Sequence, residues 1–270
     1  MKSLALLSKK ALLASAVVTA VATSLASCGG GDDGGTVMVT SATPALSPAS
    51  NVTQPVIIPA NATFLGKTYP EWETAFWQWS LALPLDNPPH PFFKCNSWER
   101  PISAAQTGNV WYWSSPDAVE TCDQSAIVIP AGKAIFLTTL DIEASSLDDP
   151  TTPFYQTTAS GQLATAQQFA NYIEDLFVFI DGTQVPNVTA YRTTTGQFTF
   201  TAPTPWVFNP NGNGGTGTAV GDGYFFMLQL PPGPHTIRYG GTFNIPKGVL
   251  GHKAVSFTKD VTLFITMGGG

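Results

Sequence analysis

Ala126–Ser145 reads AIVIPAGKAIFLTTLDIEAS, and the fold follows from how this stretch is read. It holds two apolar runs, Ala126–Ile129 and Ala134–Ile142, joined by Pro130-Ala131-Gly132. Proline presets φ and glycine tolerates φ > 0, so the joint reads as a tight turn within a hairpin. In the second run Ala134, Phe136, Thr138, Leu140 and Ile142 fall on one face, with Ile135 and Leu137 on the other. A strand apolar on both sides is central in its sheet. Farther along, the second face turns acidic at Asp141 and Glu143.

Working outward, further strands are expected at Val110–Trp113, Phe177–Ile180, Gln197–Ala202, Tyr224–Leu230, His235–Tyr239 and Val255–Thr266. Asp181-Gly182 is a strong hairpin-turn signal. Thr68-Tyr69-Pro70-Glu71 starts a helix, with a threonine cap and glutamate three residues on. Its stripe runs through Trp72, Ala75, Phe76, Trp79 and Leu83. A second amphipathic helix is expected over Leu163–Leu176. Charged residues are only 11%, against 25 glycines and 22 prolines, as in a turn-rich β protein. The expected fold is mainly β: an antiparallel β-sandwich, Ig-like or jelly-roll-like, with one or two flanking α-helices.

Residues 1–27 are set aside as a leader. Lys2, Lys9 and Lys10 precede an apolar run over Ala11–Ala26 that is too short for a comfortable membrane span. Leu25-Ala26-Ser27-Cys28 resembles a bacterial lipoprotein signal. The resemblance implies cleavage before Cys28, lipid on that residue and, with Gly29 following, an outer-membrane address in a double-membraned cell. Residues 28–62, rich in Gly, Ser, Thr and Pro, are expected to form a flexible tether, and 63–270 a single domain. Without the leader, nine basic residues face eighteen acidic ones. That balance argues against nucleic acid and anionic headgroups as partners. Outside the cytoplasm, Cys95 and Cys122 are expected to form a disulfide, closing a loop that stabilises by about 3–4 kcal/mol.

Gly221-Asp222-Gly223-Tyr224, followed by LQLPPGPHTIRY, resembles the closing strands of bacterial Ig-like sandwich domains. Tyr69–Ile265, with its Trp-rich helix, two cysteines and Ile129–Ala134 turn, is similar to a family of secreted bacterial β-sandwich proteins with no assigned activity. That resemblance implies a fold and no chemistry.

The candidate chemistry is sparse. Asp141 and Glu143, at i and i+2, share a strand face about 6.5 Å apart and suit sharing a proton or a divalent cation, unless the strand simply ends in solvent. His235 is a candidate base facing Asp222 across the closing hairpin, and Arg192 is expected to pair with an acid. Asn209–Gly214 mimics half a calcium loop but lacks the closing acid at Val220. The glycines at 212, 214 and 217 follow no expected strand, so Asn209–Gly223 reads as a flexible connection and no nucleotide is expected. Neither a metal nor another cofactor is expected. Trp77 falls off the expected helix stripe, and Trp111 and Trp113 share one strand face. Exposed, these three rings suit stacking on a glycan or a partner protein; otherwise they pack in the core. The expectation is therefore a lipid-anchored envelope binding or structural module. The competing class is a secreted hydrolase using Asp141, Glu143, Asp222 or His235.

Overall fold

The computed structural model describes residues 45–46 and 52–269, so Cys28 and the leader lie outside the described residues. Two mixed sheets dominate. The first runs β10 (Phe198–Ala202), β11 (Gly215–Gln229), β6 (Ala134–Ser145) and β4 (Val110–Trp113), with β2 (Val56–Ile57) and β9 (Arg192–Thr194) also on β11. The second runs β5 (Val119–Ile129), β13 (Val255–Met267), β12 (Gly233–Ile245), β7 (Ile173–Ile180) and β8 (Thr183–Gln184). Pairing within both sheets is antiparallel except for β4 on β6 and β5 on β13. A short parallel pair joins β1 (Ala45–Leu46) to β3 (Thr63–Phe64). The expected β-sandwich with flanking helices is therefore present, with two parallel pairs inside it.

β6 is central, as its two apolar faces required. Its joint to β5 is not a hairpin, however. β5 belongs to the second sheet and β6 to the first, so Pro130–Lys133 carries the chain across the sandwich. Gly132 takes the left-handed φ of 75° that the turn demands. A local turn signal fixes the reversal but not the sheet that each arm joins.

A second departure changes which side chains meet. The β6–β11 register slips between Phe225 and Gly223, leaving one extra residue on β6 near Thr139 and Leu140. Such a bulge flips the faces of everything beyond it. Ile135, Leu137, Leu140 and Ile142 therefore all face the core between the sheets. Ala134 and Phe136 face the outer layer. Asp141 and Glu143 share that outer side, paired with Gly223 and Gly221.

Helix α1 (Tyr69–Leu81) lies over the outer face of the first sheet. Its first turn is held by Glu71, which accepts from the Thr68 amide at 2.7 Å and hydroxyl at 2.8 Å. The buried stripe is Tyr69, Trp72, Glu73, Phe76, Trp77, Ser80 and Leu81, rotated from the expected one. Gly221 explains the rotation: a Cβ there would lie 2.1 Å from Trp77 Nε1 and 2.8 Å from Glu73 Oε1. The bare backbone lets those two side chains sit on the strand.

Helix α2 (Ala159–Ala170) is shorter and earlier than expected, capped by Thr158, whose hydroxyl accepts from Gly161 N at 3.1 Å. β7 begins three residues after it ends. The Asp181-Gly182 turn joins β7 to β8 with φ of 50° and 79°, the left-handed pair such hairpins need.

Residues 215–223, read as a flexible connection, are the first half of β11. Glycines tolerate the close approach of neighbours there, which hid the strand from its composition. Part of the expected tether is also structured: β2 pairs with β11, and Ile58 is buried and accepts the Tyr69 hydroxyl at 2.6 Å. At the β4 edge, Gln106 bonds both backbone groups of Tyr112, Oε1 accepting at 2.9 Å and Nε2 donating at 2.7 Å. Cys95 and Cys122 form the expected disulfide, with Cα atoms 5.1 Å apart. Among the described residues no helix is long and apolar enough to cross a membrane.

Candidate functional site

The expected aromatic platform is absent. Trp77 is 1% exposed, Trp111 8% and Trp113 4%. Trp111 and Trp113 fill the inter-sheet core, and Trp77 packs under α1. The parity that put Trp111 and Trp113 on one face is correct, but that face looks inward.

The candidate acids are not at a solvated strand end either. Glu143 is 5% exposed and Asp141 is half-buried, both on the side of the first sheet that α1 covers. Glu73 of α1 is fully buried on the same side and accepts from Trp77 Nε1 at 3.3 Å. Asp148 lies beside Glu143, and its Oδ2 accepts from the Ser145 amide at 3.0 Å and hydroxyl at 2.7 Å. Among the described residues Glu73 and Glu143 have no ion-pair partner, and their Oε2 atoms have no hydrogen-bond partner.

Burial and like charge decide their protonation. Desolvation, then the Asp222 charge, holds Glu73 well above the usual carboxylate range. Desolvation and Asp148 do the same for Glu143. Asp141 is pushed up to about 7 by burial, with Lys259 pulling the other way. Asp148 also rises to about 7 by burial, against the Ser145 donors. Those donors favour the charge on Asp148, so the proton between the pair rests on Glu143. Among the described residues no three such groups are arranged to hold a metal ion.

Asp222 and His235 do not meet. Asp222 lies on β11 and is fully buried, with Arg192 Nε and Nη2 donating to it at 2.8 and 3.0 Å and Thr194 at 2.9 Å. The expected pairing of Arg192 with an acid is thus present. His235, at the start of β12 in the other sheet, has Nδ1 2.7 Å from Asp181 Oδ2 and Nε2 2.7 Å from the Pro231 carbonyl. Both ring nitrogens are spent on the β7–β8 turn and the chain before β12. His90 is fully buried, with its Nε2 3.0 Å from the Ser80 carbonyl, and burial pushes its pKa down to about 3. Each expected catalytic side chain is therefore enclosed or occupied.

One exposed ring went unremarked in the sequence. Trp98 is 73% exposed. Its segment is tied down on several sides. Cys95 is in the disulfide, Ser97 N donates to Asp123 O at 2.8 Å, and Asn96 Oδ1 accepts from Asp123 N at 2.8 Å. Lys94 and Glu99 form an ion pair at 2.6 Å. Below the buried Arg100, Gln124 Nε2 donates to the Cys95 and Arg100 carbonyls at 2.7 and 2.8 Å. Lys94, Cys95 and Arg100 also line a narrow cleft with Trp79, Gln106 and Tyr112. The available signal was polar flanking: Asn96-Ser97 before the ring and Glu99-Arg100 after it, with no apolar periodicity.

No protein-family model, curated protein or solved structure matches this chain.

Proposed function

We propose that the protein is a non-catalytic module of a bacterial cell envelope, lipid-anchored at Cys28, that engages a glycan through Trp98. The observation that carries the binding reading is the exposed indole on a disulfide-fixed segment. A large ring on a backbone segment already fixed has only its side-chain torsions left to lose when it is covered, which suits stacking on a sugar face. The Lys94–Glu99 pair beside it supplies polar groups for hydroxyls. The anchor is supported by the order of basic residues, apolar run and Leu25-Ala26-Ser27-Cys28.

The hydrolase reading gains nothing from access. Glu73, Glu143 and Asp148 are buried, and Trp77 and Glu73 occupy the space over Gly221 that a substrate would need. Acid catalysis there would require α1 to lift from the sheet.

Two measurements test this reading. Trp98→Ala should keep the wild-type melting temperature and lose about 1–3 kcal/mol of retention on immobilised envelope polysaccharide. Equal retention of both proteins rules out the ring as the contact. Cys28→Ser should move the protein from the membrane to the soluble fraction and abolish labelling by a fatty-acid probe; a labelled, membrane-bound variant refutes the anchor.

A further inference from the structure

Arg100 is a buried cation without an acid. It is 5% exposed, and among the described residues it takes part in no ion pair. Its Nη1 donates to the Pro89 carbonyl at 2.9 Å and, more weakly, to the Pro88 carbonyl at 3.4 Å. Its Nη2 is buried and has no hydrogen-bond partner. The nearest carboxylate in sequence is already spent, since Glu99 pairs with Lys94 at 2.6 Å. Burial lowers the Arg100 pKa to about 10, so the guanidinium keeps its charge at neutral pH. The backbone that carries it is fixed. Arg100 N donates to the Asn96 carbonyl at 2.8 Å, the Arg100 carbonyl accepts from Gln124 Nε2 at 2.8 Å, and Cys95 is bonded to Cys122. A charge held in that way, away from water, is costly until a counter-charge matches it.

The cleft beside it has the matching character. Arg100 lines it together with Trp79, Lys94, Cys95, Tyr112 and Trp113. Two of the lining side chains are cations and none is acidic, in a chain whose net charge is −6. The cleft encloses about 250 Å³ when counted out to its open mouth, but its interior has room for only about one water-sized group. We propose that this cleft binds a small monovalent anion of halide size, chloride under ordinary salt conditions, with the Arg100 guanidinium as its main ligand.

Charge and size together select this ligand. A water would accept from Nη2 but leave the guanidinium charge unmatched, whereas a halide does both. A sugar or peptide carboxylate brings two oxygens and a carbon, which exceed the interior. A divalent anion would overcompensate the one unmatched charge. Lys94, whose side chain is 41% exposed, adds a second positive charge that Glu99 tempers. The site is distinct from the glycan contact, because Trp98 does not line the cleft. The two share a backbone, however: Lys94 and Arg100 flank the ring in sequence, so a bound anion braces the segment that presents it.

The melting temperature of the wild-type full-length chain is followed in sodium chloride and in sodium gluconate at equal ionic strength, so that screening is the same in both. Gluconate is too large to enter. Chloride should raise the melting temperature by about 2–4 °C over gluconate, along a curve that saturates. Equal melting temperatures in the two salts overturn the proposal. Bromide scatters anomalously, and crystals of the same chain grown in sodium bromide should show one bromide in the cleft against the Arg100 guanidinium. A cleft that holds only water in that map also overturns it. Arg100→Gln removes the charge but keeps an amide donor, and should abolish the chloride-dependent rise; a rise that persists places the anion elsewhere and sinks the assignment. If that variant does not fold, the bromide position in the wild-type chain decides alone.

Discussion

Asp222 and Glu143 sit on strands that are hydrogen-bonded to each other, one residue out of register, and both are buried. They solve burial differently. Asp222 faces the inter-sheet side, where Arg192 grips both of its oxygens and also donates to Asn171 and the Gln167 carbonyl at the end of α2. Glu143 faces α1, lacks a cation, and keeps its proton against Asp148. The first acid is stabilised by charge and the second by neutrality. One sheet therefore carries a contact that needs ionisation on one face and a contact that ionisation destroys on the other.

The sharpest way to break the comparison is to remove the cation. Arg192→Ala leaves the Asp222 carboxylate buried and uncompensated, and should cost about 3 kcal/mol in urea unfolding at pH 7, since Arg192 itself is partly solvated. A loss under about 1 kcal/mol would mean that Thr194 and solvent suffice.

The acids under α1 give a smaller effect with a definite sign. Their folded pKa values lie above the ordinary carboxylate range, so their contribution is fully present below that range and is lost as pH rises through the folded values. For Asp141 and Asp148 this window runs from 3.8 to about 7. The melting temperature should fall by roughly 3–8 °C between pH 5 and pH 8. Glu143→Gln can still donate to Asp148 without ionising, so it should gain about 1–2 kcal/mol at pH 8 and almost nothing at pH 5. A flat wild-type profile, or an equal gain at both pH values, would show that Glu143 is not held neutral.

This pairing of opposites was only half legible in the sequence. The central place of β6 followed from its two apolar faces, and the Asp181-Gly182 turn and the disulfide followed from local chemistry. The bulge did not, because a one-residue slip against β11 leaves no mark in LTTLDIE. Without it, Asp141 and Glu143 are placed correctly relative to each other but away from the side chains they meet. Glu73 was missed because a glutamate in a helix reads as solvated. Its burial depends on Gly221, almost 150 residues away in sequence. Trp77 was misjudged for the same reason. Long-range packing set both, and one chain's periodicity carries no record of it.

The side chain of Gln106 has a bearing on how copies of this protein tolerate one another. A sheet margin with open amides and carbonyls is a template for a second chain, and the hazard grows with concentration. By bonding both backbone groups of Tyr112, Gln106 imitates a neighbouring strand with a single amide and occupies that docking point. At Tyr112 the margin of the first sheet is thereby capped against sideways pairing, without an extra strand.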